Sequence, residues 1–170
     1  MKQNVIGITG WKNSGKTTLV EKLVTHFAGL GFKVATVKHA HHEFDIDHEG
    51  TDSYRHRKAG AQETAIVSAR RWALMHELEA EGEPPLAEVL ARLSPCDLVI
   101  VEGYKREGHA KIEVRRSLCE PKLAPDDASI IAVASNQPTG DASLPMFSLD
   151  DAPAIARFIL QRFSLNADLK

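Results

Sequence analysis

The most informative spacing in this 170-residue chain is a pair of glycines followed by a lysine and a threonine, Gly10-x4-Gly15-Lys16-Thr17. This is the full Walker A pattern of a phosphate-binding loop. Its glycines let backbone amides turn towards phosphate oxygens, while the lysine reaches the outer phosphates and the threonine supplies one Mg²⁺ ligand. A helix that starts near Lys16 adds unpaired N–H groups. The predicted nucleotide-binding residues are Gly10, Trp11, Lys12, Asn13, Ser14, Gly15, Lys16, Thr17 and Thr18.

A phosphate loop of this kind needs an acidic side chain that holds Mg²⁺ or its water ligands. Glu102 follows the apolar run at residues 98–101, which is the most apolar strand candidate in the chain. In open parallel sheets, ligands gather at the carboxyl ends of the strands, where the loop also lies. We therefore predict that Glu102 and Thr17 hold the metal. Asp97 precedes the same strand and is expected at its far end as a surface acid.

Strand and helix patterns alternate along the chain around these residues. The predicted strands are 4–9, 33–38, 63–68, 97–102, 111–115, 130–135 and 145–148, with 70–78 ambiguous, and the later helices are 52–59, 86–93 and 152–163. Several strands are apolar on both faces, as in parallel sheets. The expected fold class is α/β: a P-loop NTPase-type, mainly parallel sheet flanked by helices, with some antiparallel edge strands. We expect one domain over residues 1–170, and the alternation at 111–115 predicts an edge or half-exposed strand.

The composition, 43% hydrophobic and 26% charged residues, is that of a soluble globular protein. A net charge of −2 without a basic stretch argues against nucleic-acid binding. No apolar run approaches the roughly 20 residues that span a bilayer, and no secretory segment is expected. Cys96 and Cys119 make neither a disulfide framework nor a ligand quartet, so they suit a reducing, cytoplasmic location.

Four segments carry a resemblance to a known family: GWKNSGKTTL, VKHAHHEFDIDHEGTDSYRHRKAGA, DLVIVEGYK and KIEVRR. Over most of residues 4–135 the chain resembles the MobB family of molybdopterin-guanine dinucleotide biosynthesis adaptor proteins. This resemblance implies a GTP-binding, Mg²⁺-dependent homodimer with weak GTPase activity. It also implies a partner, the molybdenum cofactor guanylyltransferase, which joins GMP to molybdopterin. The guanine preference follows from the family alone, because residues 135–138 are equally consistent with a base contact and with a simple turn.

A strand that ends in Glu-Gly after such a loop also resembles the dethiobiotin-synthetase branch of P-loop proteins. That resemblance implies that Lys38 contacts phosphate or substrate and that Asp52 helps to hold Mg²⁺. Two alternatives stay open: Lys38 as a solvated strand-end lysine, and Thr51 or Asp52 as the cap of the helix at 52–59. The residues expected to act on the nucleotide are Lys16, Lys38 and Glu102.

The segment after Lys38 combines histidines with acidic residues. One interpretation is a transition-metal site, although adjacent His41 and His42 would point apart on an extended chain. The favoured interpretation is a loop in which His39, His41 and Asp45 contact an anionic ligand or a partner. Arg115 has two interpretations of its own, a bidentate phosphate clamp and a paired charge on an exposed strand.

A rival function remains compatible with the sequence. The chain could be a P-loop small-molecule kinase or ligase that acts on an anionic substrate beside Lys38 and the histidine segment. A third possibility is a dimeric scaffold whose nucleotide only stabilises the fold. Turnover separates these functions, since an enzyme with its true substrate should reach about 1 s⁻¹ or more.

Overall fold

The computed structural model describes residues 3–40, 44–78, 82–117, 121–138 and 143–166. The chain divides into two compact units. The sheet unit comprises residues 1–39 and 90–170, and the hairpin unit comprises residues 40–89. The single domain expected over residues 1–170 stays a prediction.

A parallel sheet forms the centre of the sheet unit. Its six described strands are β1 (Val5–Gly10), β2 (Val34–Lys38), β5 (Leu98–Glu102), β6 (Lys111–Arg115), β7 (Ile130–Ser135) and β8 (Met146–Phe147). Their spatial order is β2-β5-β1-β6-β7-β8, and every pair in it is parallel. The α/β class is therefore confirmed. The antiparallel strands form a separate pair, β3 and β4, in the hairpin unit.

Two helices cover one face of this sheet, and their apolar spacing explains why. Helix α1 (Lys16–Gly29) buries Leu19, Leu23 and Phe27, which recur every four residues along one side. Helix α4 (Ala152–Phe163) packs against α1 and adds Ile155 and Ile159 to the same core. Each such side chain contributes about 1.5–3 kcal/mol by leaving water. The loop between β1 and α1 is thus anchored at both ends in a packed core.

Strand β6 corrects the prediction of an edge or half-exposed strand. It lies between β1 and β7, and all five of its residues are buried. Its polar side chains have partners in the segment that follows: Lys111 Nζ donates to Asp127 Oδ2 at 2.7 Å, and Glu113 accepts from the backbone N–H groups of Leu123 and Ala124. Alternating polarity therefore indicates a satisfied polar face here, because residues 121–129 supply complementary groups that the strand's own sequence cannot reveal.

The connection from β5 to β6 passes across β1 in residues 103–110, because β1 lies between those two strands. Parallel crossover connections ordinarily need about a dozen residues or more. The short path requires a close approach to the sheet at Gly7, where a Cβ would overlap His109 Nε2 and meet Lys111 Cγ at 2.9 Å. The half-buried His109 ring therefore lies directly on β1.

The hairpin unit contains helix α2 (Asp52–Lys58) and the antiparallel strands β3 (Glu63–Val67) and β4 (Trp72–His76). The ambiguous stretch at 70–78 is thus a strand. Helix α3 (Leu86–Ala91) crosses the boundary between the units along the chain and ends two residues earlier than predicted. Thr51 caps α2 by accepting from Tyr54 N at 3.4 Å, which decides between the two predicted caps.

Candidate functional site

The phosphate loop leaves β1 through a backbone turn that only glycine can make. Gly10 has φ +148°, and a Cβ there would meet Val114 O at 2.5 Å and Ser14 Oγ at 2.8 Å. Asn13 and Gly15 also have positive φ, 63° and 102°. Gly15 is the N-cap of α1 and provides no side-chain cap bond, so the first amides of this helix keep their capacity for an anion.

Lys16 crosses the mouth of this loop. Its ammonium donates to Trp11 O at 2.6 Å and to Gly10 O at 3.2 Å. These two carbonyls hold the lysine head at the first residues of the loop. A bound phosphate oxygen would compete for the same ammonium, which is the function expected of a Walker A lysine.

Glu102 lies next to the loop, as its place at the end of β5 predicts. Its Oε1 accepts from Thr17 Oγ1 at 2.8 Å and lies 3.8 Å from Lys38 Nζ. Strand register explains the second contact, because Lys38 of β2 is directly opposite Glu102. The Glu102 side chain is only 12% exposed, whereas that of Lys38 is 64% exposed. Three predicted site residues therefore meet at one point of the sheet edge, and their roles stay predictions.

The turn after Glu102 adds groups that sequence reasoning did not select. Tyr104 has φ +47°, a strained value for an aromatic residue, and its ring stacks on His39 with centroids 4.7 Å apart. Lys105 Nζ lies 4.3 Å from the centroid of the Trp11 ring. Trp11 Nε1 in turn donates to Pro121 O at 2.7 Å. For Tyr104 and Lys105 the only signal was their presence in the family segment DLVIVEGYK, whereas His39 and Trp11 were already predicted site residues.

A cleft of about 400 Å³ opens beside the phosphate loop. Its walls come from the loop, from α1 and from the turns after β6, β7 and β8, and they include Gly15, Thr18, Arg116, Asn136 and Gln137. Two residues of the predicted turn at 135–138 therefore face the same space as the loop. This volume lies within the range of pockets that hold small ligands.

The structure separates Arg115 from its neighbour Arg116. Arg115 is 6% exposed and donates to Glu113 Oε2 at 2.6 Å, so the prediction of an exposed strand charge is wrong. Arg116 follows the strand, is exposed and lines the cleft. The sequence KIEVRR contains both arginines, and only the end of β6 decides which of them reaches the cleft.

The other predicted contact residues belong to different units of the chain or lie outside the described residues. His39 belongs to the sheet unit, and His41 is outside the described residues. Asp45 and Asp52 belong to the hairpin unit, where Asp45 pairs with Arg57 at 2.8 Å and Asp52 is 90% exposed, 4.0 Å from Arg55. A joint role of His39, His41, Asp45 and Arg115, and a metal role of Asp52, stay predictions.

Two further findings come from the described ranges. They contain no group of three histidine, cysteine or acidic residues placed to hold a metal ion. Every helix within them is too short or too polar to cross a bilayer.

The sheet order, the glycine turn after central β1 and the acid at the end of neighbouring β5 define a P-loop α/β protein. More particularly, the chain belongs to the MobB family. The sequence model of that family, described as molybdopterin guanine dinucleotide synthesis protein B, matches residues 5–136.

Individual relatives agree with this assignment. The molybdopterin-guanine dinucleotide biosynthesis adapter protein of Escherichia coli (strain K12) is 37% identical over 161 residues, 92% of this chain and 91% of the relative. The adapter protein of Haemophilus influenzae is 36% identical and covers 91% of this chain and 86% of its own length. A crystal structure of a MobB homolog from Bacillus stearothermophilus has a TM-score of 0.72 at 30% identity, over 96% of this chain and 100% of that one.

Proposed function

We propose that this protein is a GTP-binding adaptor with at most weak GTPase activity. It would assist the molybdenum cofactor guanylyltransferase, its nucleotidyl-transferring partner, in attaching GMP to molybdopterin. The carrying observation is the contact between Thr17 Oγ1 and Glu102 Oε1 at 2.8 Å beside the glycine turn. The relatives named adapter proteins of molybdopterin-guanine dinucleotide biosynthesis support the biological role.

Nucleotide binding would use the phosphate loop in the usual way. The amides at the start of α1 and the Lys16 ammonium provide positive partners for a triphosphate. The adjoining cleft, with Asn136 and Gln137 on its far side, offers space for the nucleoside. The anion therefore meets backbone and lysine, while the sugar and base meet side chains.

The residues present also fit Mg²⁺. The Thr17 hydroxyl and the Glu102 carboxylate are hard oxygen donors, the type that this ion prefers. When bound, the ion would neutralise charge on the outer phosphates. Lys38 Nζ lies 3.8 Å from the same carboxylate oxygen and adds a positive charge beside it.

Slow hydrolysis follows from how these groups are engaged. Glu102 interacts with both Thr17 and Lys38, so it is committed to binding rather than placed to activate water. Turnover well below about 1 s⁻¹ is therefore expected in the isolated protein. Turnover of about 1 s⁻¹ or more with a small anionic acceptor would favour the kinase or ligase alternative.

Calorimetric titration with GTP and Mg²⁺ tests the proposal. Lys16→Ala should weaken binding at least about tenfold, because a charge-assisted contact to phosphate is lost. Lys33→Ala is the matched control, since exposed Lys33 precedes the opposite end of β2. Wild-type protein that binds no purine triphosphate would refute the proposal, and so would normal cofactor maturation with the Lys16 variant.

A homodimer is proposed for the same adaptor. The two-stranded β3–β4 sheet leaves both edges without a further strand among the described residues, and an isolated pair is only marginally stable. It also exposes apolar side chains, with Val67 at 75% and Trp72 at 68%. A second copy would cover this surface, and light scattering should give twice the 18.7 kDa chain mass. The proposed compartment is the cytoplasm, which suits free Cys96.

A further inference from the structure

The cleft beside the phosphate loop is also lined by the carboxylate of Asp150, which has no part in the proposed phosphate and Mg²⁺ binding. Asp150 lies in the turn between β8 and α4 and shares the cleft with Ser14, Gly15 and Thr18. A nucleotide held by its phosphates on the loop would extend its sugar and base into this space. Asp150 is therefore placed to contact the end of the nucleotide opposite the phosphates.

Two side chains from distant parts of the chain orient this carboxylate. Lys22 Nζ of α1 donates to Oδ1 at 3.1 Å, and Asn136 Nδ2 donates to Oδ2 at 2.9 Å. Asn136 is itself fixed, because its Oδ1 accepts from Ser148 Oγ at 2.9 Å and from Leu149 N at 2.8 Å. Both oxygens of Asp150 thus have defined directions.

Asp150 nevertheless keeps most of its accepting capacity. An ionised carboxylate offers about four lone-pair sites, and Lys22 and Asn136 use one on each oxygen. The side chain is 74% exposed. The hydrogen bonds from Lys22 and Asn136 lower the pKa of Asp150 below its ordinary value, so it is an acceptor throughout the neutral range.

We propose that Asp150 determines base specificity by accepting hydrogen bonds from the N1–H and 2-amino groups of guanine, with Lys22 and Asn136 as positioning residues. This inference rests on the proposed nucleotide binding. Guanine presents two adjacent donors that match two carboxylate oxygens. Adenine presents an acceptor nitrogen at the same place, which the carboxylate would repel. The chain thereby distinguishes guanine with a carboxylate in the turn between β8 and α4.

The test changes the hydrogen-bonding groups of the protein and of the base in turn and measures the affinity of each combination. Calorimetry should give the wild type at least about tenfold tighter binding of GTP than of ATP. Asp150→Asn should weaken GTP binding about tenfold to a hundredfold. The same variant should gain affinity for xanthosine triphosphate, whose 2-carbonyl accepts from the new amide.

Two controls separate base recognition from folding. Asp151→Asn changes the neighbouring carboxylate, which caps α4 through Ala154 N at 2.9 Å, and asparagine caps equally well. It should leave all affinities unchanged. Tripolyphosphate has no base, so Asp150→Asn and Lys22→Met should bind it like the wild type, although both lose the preference for GTP over ATP.

The outcomes distinguish this inference from the function on which it depends. Equal wild-type affinities for GTP and ATP would overturn the inference and leave nucleotide binding intact. The inference would also fail if the Asp150→Asn variant kept the preference for GTP over ATP. It would fail as well if this variant lost as much affinity for tripolyphosphate as for GTP. Absence of binding by every triphosphate, tripolyphosphate included, would instead refute the proposed function.

Discussion

Helix α1 of the sheet unit buries three large apolar side chains. None of the seven residues of helix α2 in the hairpin unit is buried. Around α2, the hairpin unit relies on charge instead. Arg57 Nη2 donates to Asp45 Oδ1 at 2.8 Å and to Asp47 Oδ1 at 2.7 Å, and Arg57 Nε lies 3.5 Å from Glu77. Packing does not depend on pH or salt in the way that ion pairs do. The phosphate loop thus has a stable base, while residues 44–58 depend on one arginine.

The largest expected effect tests how much the sheet unit depends on apolar packing. Leu23→Ala in α1 removes a fully buried side chain and should lower the free energy of unfolding by about 2–5 kcal/mol. Leu74→Ala in β4 is the matched change in the hairpin unit, where the side chain is 49% exposed in a single chain, and in monomeric protein it should cost less than about 0.5 kcal/mol. Urea denaturation measures both. Equal losses would mean that the two units do not differ in their dependence on packing.

The next largest effect tests how much the hairpin unit depends on the ion pairs of Arg57. Arg57→Ala leaves the nearly buried carboxylate of Asp47 without its cationic partner, so amide exchange in residues 44–58 should accelerate about tenfold or more. Arg55→Ala is the control, because Arg55 is 76% exposed and 4.0 Å from Asp52. Hydrogen-exchange mass spectrometry resolves these residues. An unchanged exchange rate in the Arg57 variant would contradict the proposed role of the ion pairs.

Low pH provides a second test of the ion pairs in the hairpin unit. The hydrogen bond from Arg57 lowers the pKa of Asp47 below its ordinary value of 3.8. The resulting stabilisation is present above that ordinary value and is lost as the pH falls through the lower pKa of the folded state. Exchange in residues 44–58 should therefore accelerate only under strongly acidic conditions.

The smallest effect concerns the sheet unit and a different pH range. Burial lowers the pKa of His109 from 6.5 to about 4, and the nearby Lys111 charge adds to this shift. Between these values only the unfolded chain binds the proton, so stability should fall by about 1 kcal/mol once solvent screening is allowed for, and level off below about pH 4. Urea titrations at several pH values measure the slope. His109→Phe should flatten it, and an unchanged slope would assign the effect to another group.

The sequence predicted those parts of the site that depend on local rules. The Gly10–Thr17 spacing indicates a loop between a strand and a helix, and the apolar run before Glu102 indicates a buried strand with an acid at its carboxyl end. Parallel strands place such ends at one edge, so the meeting of Thr17 and Glu102 could be predicted from pattern. The role of Lys38 was implied by the resemblance to the dethiobiotin-synthetase branch, and the register of β2 against β5 places it opposite Glu102. Each pattern lies within a few neighbouring residues, and the general rule for parallel sheets joins them.

Contacts between distant segments were beyond this reasoning. Lys111 and Glu113 look like surface charges until residues 121–129 provide their partners, and that is why the prediction for β6 was wrong. Lys22 and Asp150 are 128 positions apart, and no local pattern connects them. Their distance depends on how α1 packs against α4.

By itself, then, the sequence determined the α/β class, the phosphate loop and its acidic neighbour, because hydrogen bonding and side-chain periodicity within a few residues require them. Only the tertiary structure decided which polar groups are buried, which arginine reaches the cleft and which carboxylate lines it. These properties depend on the partners that folding brings together, since burying a polar group is tolerated only when another segment satisfies it.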